Sequence, residues 1–533
     1  MNKRLILVLA FAFVIGIAFA AYAEVQNVKV SGDITVGGVM RNNYDLAKTR
    51  NIGATTIGAI APSAVTYSDM EKDLFSIARI RVDADLTDNV SATVRLLNER
   101  NWNGESAQGL AENNRNVGLA ATNAVDEQDV DLDLAFVTLK EFLYSPLTLK
   151  VGRQEMRFGN GWLIGDPDTS LVALRSSLAE GDLSARKSFD AIRATLDYNP
   201  LIVDLVYSKV AENNTVMNDD TTLYGLNAAY EMNKNTTVEG FFFSKERGSS
   251  DSAAANVDVV RTLGTAALSD TYATSNVIKG KSDIVNTVGA RVVNKTVKNL
   301  TIDAQAAFQF GTYNPKYDTN ARWDSTGAPG AGGEAGEHAG LTSPRRAWGM
   351  EVIAAYELKD IQKIAKYNPM IAATYIYLSG ESRDKVGNKA YKGWDPMYED
   401  QMIGHILNSI MGFTNLTLGA LTMQAKPMDD IGVKVDYVTA WFNKRFPQGR
   451  AVVLSGVPTA TQFYMGKGNF IGQEIDMTLT YDYTEDVQFS LLGGYFLPSR
   501  NINEVGNETA TTPNTNPRRA AASEIMGTMK VTF

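Results

Sequence analysis

Eighteen short strand-like segments run through this chain, and the gaps between them alternate short and long from one end to the other. Gaps after odd-numbered segments mostly run to tens of residues. Those after even-numbered segments are tight turns such as Thr87-Asp88-Asn89, Asn199-Pro200 and Asn233-Lys234-Asn235. Long loops on one rim and short turns on the other are the anatomy of a transmembrane β-barrel. A soluble all-β protein has no reason to keep its loop lengths in this rhythm. The expected fold is therefore all-β, an antiparallel up-and-down membrane barrel of about 18 strands.

Individual segments carry the two-faced pattern such a barrel needs. In Phe75–Leu86, Ala78, Ile80, Val82, Ala84 and Leu86 share one face, while Arg79, Arg81, Asp83 and Asp85 share the other. In Phe470–Tyr483, Ile475, Met477, Leu479 and Tyr481 oppose Glu474, Asp476, Thr478 and Asp482. The segments are about 10–14 residues long, near the 9–11 that a tilted strand needs to cross hydrocarbon and well above the usual 5–6 of soluble strands. Eighteen strands imply a water-filled lumen, since only barrels of about eight are filled by their own side chains. Tyr198, Tyr230, Tyr356, Tyr377, Tyr437 and Phe496 near strand ends suggest interfacial girdles.

The N-terminus has the form of a cleavable signal peptide, residues 1–23. Lys3 and Arg4 precede an apolar run from Leu5 to Ala20, and Ala21-Tyr22-Ala23 offers a cleavage site. An uncleaved anchor is the alternative. The single barrel domain would then span 24–533, with no room for an N-terminal plug domain, so passage through it is expected to be passive. No later apolar run is long enough for a membrane helix. Without Lys3 and Arg4, the 51 basic residues become 49 against 60 acidic, a formal charge of −11. That balance recommends no nucleic-acid partner. Cysteine is absent, so neither a lipid-anchored N-terminus nor a disulfide framework is available.

Nothing in the chain reads as catalytic. Its two histidines, His338 and His405, fall in expected external loops, and no metal-site, phosphate-loop or nucleophile motif is present. The reading is of a non-enzyme needing no cofactor and no metal. Ser325–Gly340 is rich in Gly and Ala, and Asn501–Arg519 in Asn, Thr and Pro, as expected of surface segments. The last strand alternates Ile525, Gly527, Met529, Val531 and Phe533 with polar residues. A chain ending this way resembles the C-terminal assembly signal of bacterial outer-membrane proteins, which implies barrel-assembly machinery and outer-membrane lipid as partners.

Strand parity then selects candidate pore-lining residues. Arg79, Arg81, Arg95, Lys150 and Arg193 fall on the inward face of the second to sixth strands. Asp303, Glu351, Glu474 and Asp476 fall inward on the roughly opposite wall. Arg153 is out of phase with Thr148 and Lys150 and would face the lumen only if Gly152 forms a bulge. The expectation is a field across the lumen, basic on one wall and acidic on the other. Mutual pairing of these charges is the alternative.

Two stretches resemble the alginate-export family of outer-membrane porins. The first is Val151-Gly152-Arg153-Gln154 with Phe158-Gly159-Asn160-Gly161-Trp162-Leu163-Ile164-Gly165-Asp166, followed by Lys187-Ser188-Phe189-Asp190-Ala191-Ile192-Arg193. The second is Trp394-Asp395-Pro396-Met397-Tyr398 through Gly404-His405-Ile406-Leu407-Asn408. The resemblance covers nearly the whole mature chain and implies a porin-like channel for polar solutes or polysaccharide. The mixed lumen charge favours a more general porin over a channel for an anionic polymer. A structural or adhesive barrel, with long loops binding a surface partner, is the rival reading.

Overall fold

The computed structural model describes residues 26–44, 46, 70–102, 130–168, 181–212, 220–248, 282–313, 342–381, 390–444, 451–452, 463–465, 468–504 and 520–533. The expected signal peptide, His338 and the 325–340 segment lie outside the described residues, as do 505–519. Eighteen strands form one antiparallel sheet. They are β1 Asn27–Asn42, β2 Met70–Thr87, β3 Val90–Asn101, β4 Asp131–Leu139, β5 Leu147–Glu155, β6 Ser188–Asp197, β7 Leu201–Ala211, β8 Thr221–Asn233 and β9 Thr236–Arg247. The second nine are β10 Asp283–Asn294, β11 Leu300–Tyr313, β12 Ser343–Glu357, β13 Met370–Leu378, β14 Leu416–Met428, β15 Ile431–Phe442, β16 Phe470–Asp482, β17 Val487–Pro498 and β18 Ala522–Thr532.

Each strand pairs with its chain neighbours, and β1 also pairs with β18, so the sheet closes on itself. At the seam, Gly32 and Phe533 exchange backbone hydrogen bonds of 2.8 and 3.0 Å. Closure leaves no unpaired edge, the condition for a sheet inside hydrocarbon. A small three-stranded sheet, Ala451–Val452, Phe463–Met465 and Ile502–Glu504, is added on the long-loop side where the sequence suggests only loop.

The outer face carries the large apolar side chains: Val30, Ile80, Leu205, Val288, Phe308 and Ile475 are all exposed. Aromatic residues gather at its two margins. Tyr198, Tyr230, Tyr356, Tyr481 and Phe533 lie exposed near the short-turn rim, and Trp102, Trp348 and Trp441 near the long-loop rim, whereas Tyr437 sits at the middle of β15. Trp348 stacks on Tyr377 with centroids 4.3 Å apart. This is the banding of a barrel embedded in lipid. Phe496 departs from the expected girdle: it pairs across the sheet with inward-facing Glu474 and is fully buried inside the barrel.

The interior also corrects an expectation. It is not a uniformly water-filled lumen, because two long loops turn inward and build a hydrophobic core there.

Candidate functional site

The inward loops are residues 156–168, which leave β5, and 390–415, which enter β14. In the first, Gly159 and Gly161 adopt φ of 58° and 84°, left-handed values that glycine takes without a Cβ penalty. They allow the Phe158–Gly161 turn, closed by a Gly161 N–H donating to the Phe158 carbonyl at 3.0 Å. The two loops then join. Tyr398 N–H donates to the Leu163 carbonyl at 2.9 Å, Gly165 N–H to the Tyr398 carbonyl at 2.7 Å, and Asp400 N–H to the Gly161 carbonyl at 2.7 Å. Trp162 and Trp394 stack at 5.2 Å, and Tyr398 meets Phe189 edge to face at 5.8 Å. Phe158, Ile164, Met397 and Ile406 bury against wall residues such as Phe243, Leu223, Ile376 and Leu418. Each fully buried side chain of this kind contributes about 1.5–3 kcal/mol. The joined loops are one packed insert.

Polar anchors tie this insert to the wall. Asp395 forms an ion pair with Lys245, whose side chain is only 3% exposed. Gln309 grips the Asp395 backbone from both sides, donating to its carbonyl at 2.7 Å and accepting from its N–H at 2.8 Å. Burial pushes the Asp395 carboxyl up, but Lys245 and Arg345 hold it down to about 2. Glu351 accepts hydrogen bonds from Asn160 and Gln401, both at 2.8 Å, and from Gln305. Glu474 accepts from Ile406 and Leu407 N–H at 2.7 and 2.8 Å, and Asp476 from His405 N–H at 3.2 Å, where the short helix His405–Ile410 begins.

A second group knits the two loops to β6. Asp400 pairs with both Arg157 and Lys187, and Lys187 also reaches Asp166 at 3.5 Å. Burial raises Asp166 to about 6, against the opposing pull of Lys187, and pushes the neighbouring Glu399 up to about 8.

The expected lumen charges are thus engaged, and they differ by wall. Glu351, Glu474 and Asp476 are each about 1% exposed and hold the insert. Asp303 receives Arg291 at 2.6 Å, and Arg291 also reaches Glu239 at 2.7 Å. On the basic wall Arg79 pairs with Asp33 at 2.9 Å, Arg81 with Asp83 at 2.8 Å and Arg193 with Asp204 at 2.8 Å. Arg95 binds Asp133 at 2.6 Å and also Glu155. Lys150 lies over the Phe136 ring at 4.6 Å. Two opposed walls of free charge do not form, because parity decides which residues turn inward but not what they meet there.

Arg153 requires a correction. β5 keeps a continuous register with β4 and β6 through Gly152, without a bulge, although Gly152 takes φ of 124°. Arg153 therefore shares the outer face with Val151 and pairs with Asp190, opposite it on β6, at 3.2 Å. It lies near the long-loop end of β5, where a charge can reach the polar interface.

Sequence reasoning missed Lys245, Gln309, Asn160, Gln401 and the Arg157–Asp400 pair. Lys245 had a readable signal, since it shares inward parity with Phe241 and Phe243. A cation among apolar inward neighbours calls for a buried acid.

A family model described as alginate export matches residues 62–514. No curated protein matches the sequence. Among solved structures, the chain is similar to Pseudomonas aeruginosa OccK3 (OpdO), at 9% identity and a TM-score of 0.48, covering 96% of this chain and 96% of that one. It is similar to Pseudomonas aeruginosa OccK8 (OprE) at 10% identity and 0.48, covering 96% and 98%. The outer membrane protein opdK from Pseudomonas aeruginosa gives 10% identity and 0.45, covering 95% and 99%.

Proposed function

The chain belongs to the alginate-export family, and we propose that it is a narrow, passive channel for polar solutes or saccharides. It is a barrel of the bacterial outer membrane, with its short turns on the periplasmic side as in other such barrels. The observation that carries the reading is the division of the interior. The insert narrows the outer half, while the periplasmic half keeps half-exposed pairs such as Arg81–Asp83. A solute entering from the periplasm meets a polar vestibule bordered by Arg79, Arg81, Lys150 and Arg193, then the edge of the insert at Arg157 and Asp400. Such a path suits hydroxyl-rich or charged solutes, because ion-paired walls supply both donors and acceptors. Apolar solutes would gain nothing there.

Single-channel recording of the refolded protein in planar bilayers tests this, with ion selectivity read under a salt gradient. Stable openings, smaller than an unobstructed barrel of this strand number would give, are expected. The dense apolar packing of the insert favours one rival, a structural or adhesive barrel whose lumen stays plugged. Absence of openings, both in the wild type and in variants that loosen the insert, would establish that rival.

A further inference from the structure

On the outer face, between β16 and β2, the rank of large apolar side chains is interrupted at Gly493 of β17. A Cβ added there would meet nothing within 4 Å. Met477, Tyr495, Ile525, Met40 and Met70 stand around the gap and enclose a groove of about 400 Å³. The register lays it along one cross-strand row. Met477 is opposite Gly493, Gly493 opposite Ile525, Ile525 opposite Met40, and Met40 opposite Lys72.

That row climbs through the membrane. Met477 lies near the middle of β16, whereas Lys72 lies two residues inside the long-loop end of β2. The groove therefore runs from mid-membrane up to the outer headgroup level, with a lysine at its upper end. Lys72 is exposed and, among the described residues, has no ion pair. A cation at that height is stabilised when its stem follows apolar surface and its ammonium reaches lipid phosphate.

We propose that this groove seats one acyl chain of an anionic, phosphate-bearing lipid of the outer leaflet, with the phosphate at Lys72. The chain would lie along Met40 and Ile525 and end over Gly493 against Met477. Three methionines suit an occupant without fixed shape, since the thioether side chain adapts to irregular apolar partners. Lys72 selects lipid over a second barrel. The same row of a second copy offers only apolar residues and another lysine, and so leaves the ammonium without a counter-charge, whereas a lipid brings one.

Native mass spectrometry of the detergent-solubilised full chain tests this, with phosphatidylglycerol or phosphatidylcholine of equal chain length added. The wild type is expected to retain one phosphatidylglycerol and to hold it more tightly than phosphatidylcholine. Lys72→Gln should weaken phosphatidylglycerol about fivefold, the factor for one lysine near a lipid surface, and level the two lipids. Gly493→Phe should abolish retention of both. Gly240→Phe is the control, on the outer face of β9 where an added Cβ also meets nothing within 4 Å, and should change nothing. Equal retention in Gly493→Phe and wild type overturns the proposal. So does a wild-type dimer that Gly493→Phe dissociates, which would assign the groove to a second barrel. Should Gly493→Phe fail to fold, unchanged lipid preference in folded Lys72→Gln overturns it equally.

Discussion

Toward the long-loop rim the barrel interior is packed and dry: Ile164, Met397 and Ile406 keep no exposed surface at all. Toward the short-turn rim the same wall carries Arg81 and Asp83, whose side chains are 40% and 33% exposed. Both regions use inward residues of the same strands, and both contain charges. The difference is what the charges face. In the outer half buried charges have fixed partners, as Lys245 has Asp395 on a loop and Arg345 has Asp283 on a strand, and losing such a partner strands the charge. In the periplasmic half a pair such as Arg81–Asp83 keeps water as a second partner, so it contributes little to stability and much to the local field. One barrel thus houses two interiors, the outer half behaving like the core of a soluble protein and the other half like a surface turned inside out.

Breaking the dry half should have the largest effect. Trp394→Ala removes the ring stacked on Trp162 and should destabilise the docked insert by about 3–5 kcal/mol, the usual cost of a large-to-small change in a packed core. Larger conductance steps and faster proteolysis within 390–415 would register it. Unchanged recordings would mean that the insert does not border the passage. Lys245→Met should cost a similar or slightly smaller amount, because it leaves Asp395 buried and charged. Adding Asp395→Asn should recover most of that loss in thermal unfolding. A double variant no better than the single one would show that Gln309 and the apolar contacts, not the ion pair, set the position of Asp395.

A pH titration sharpens the comparison further. Glu399 and Asp166 sit near 8 and 6, against ordinary values of 4.5 and 3.8. The docked insert therefore binds protons that a released loop gives up, so docking weakens as pH rises from about 4 to about 8. Proteolytic susceptibility of 390–415 should climb across that window, and Glu399→Gln should remove the part between about 6 and 8. A slope of the opposite sign would contradict the burial of both groups. The smallest effect belongs to the wet half. Arg81→Ala should change stability by less than about 1 kcal/mol yet shift the reversal potential under a salt gradient toward cations.

The strands were legible because alternation is a local property of the chain. The segment Phe75–Leu86 falls inside β2, and Phe470–Tyr483 matches β16 to within one residue. What stands inside the barrel was not legible by the same means. Parity turns Glu351 and Glu474 inward, but their partners Asn160, Gln401 and Ile406 arrive from loops whose path depends on tertiary packing. Arg153 and Phe496 show a further limit. Arg153 reaches the lumen only with a bulge at Gly152, and the register with β4 and β6 runs through without one. Phe496 lies near a strand end, as a girdle residue would, yet its pairing with Glu474 turns it inward.

The joining of Ile164 to Tyr398 has a mechanical side. A ring of eighteen strands is a wide hoop, and a hoop resists changes of circumference far better than changes of outline. Hydrogen bonds between strands fix the circumference alone. The insert touches β6 through Tyr398 against Phe189 and, on the opposite side of the ring, β16 through the helix at His405, and it spans the interior between them. Close-packed protein is barely compressible, so it acts as a spoke. Lateral pressure that would flatten an empty hoop of this size is carried across its diameter, and the vestibule beneath keeps its cross-section without any strand being stiffer than usual.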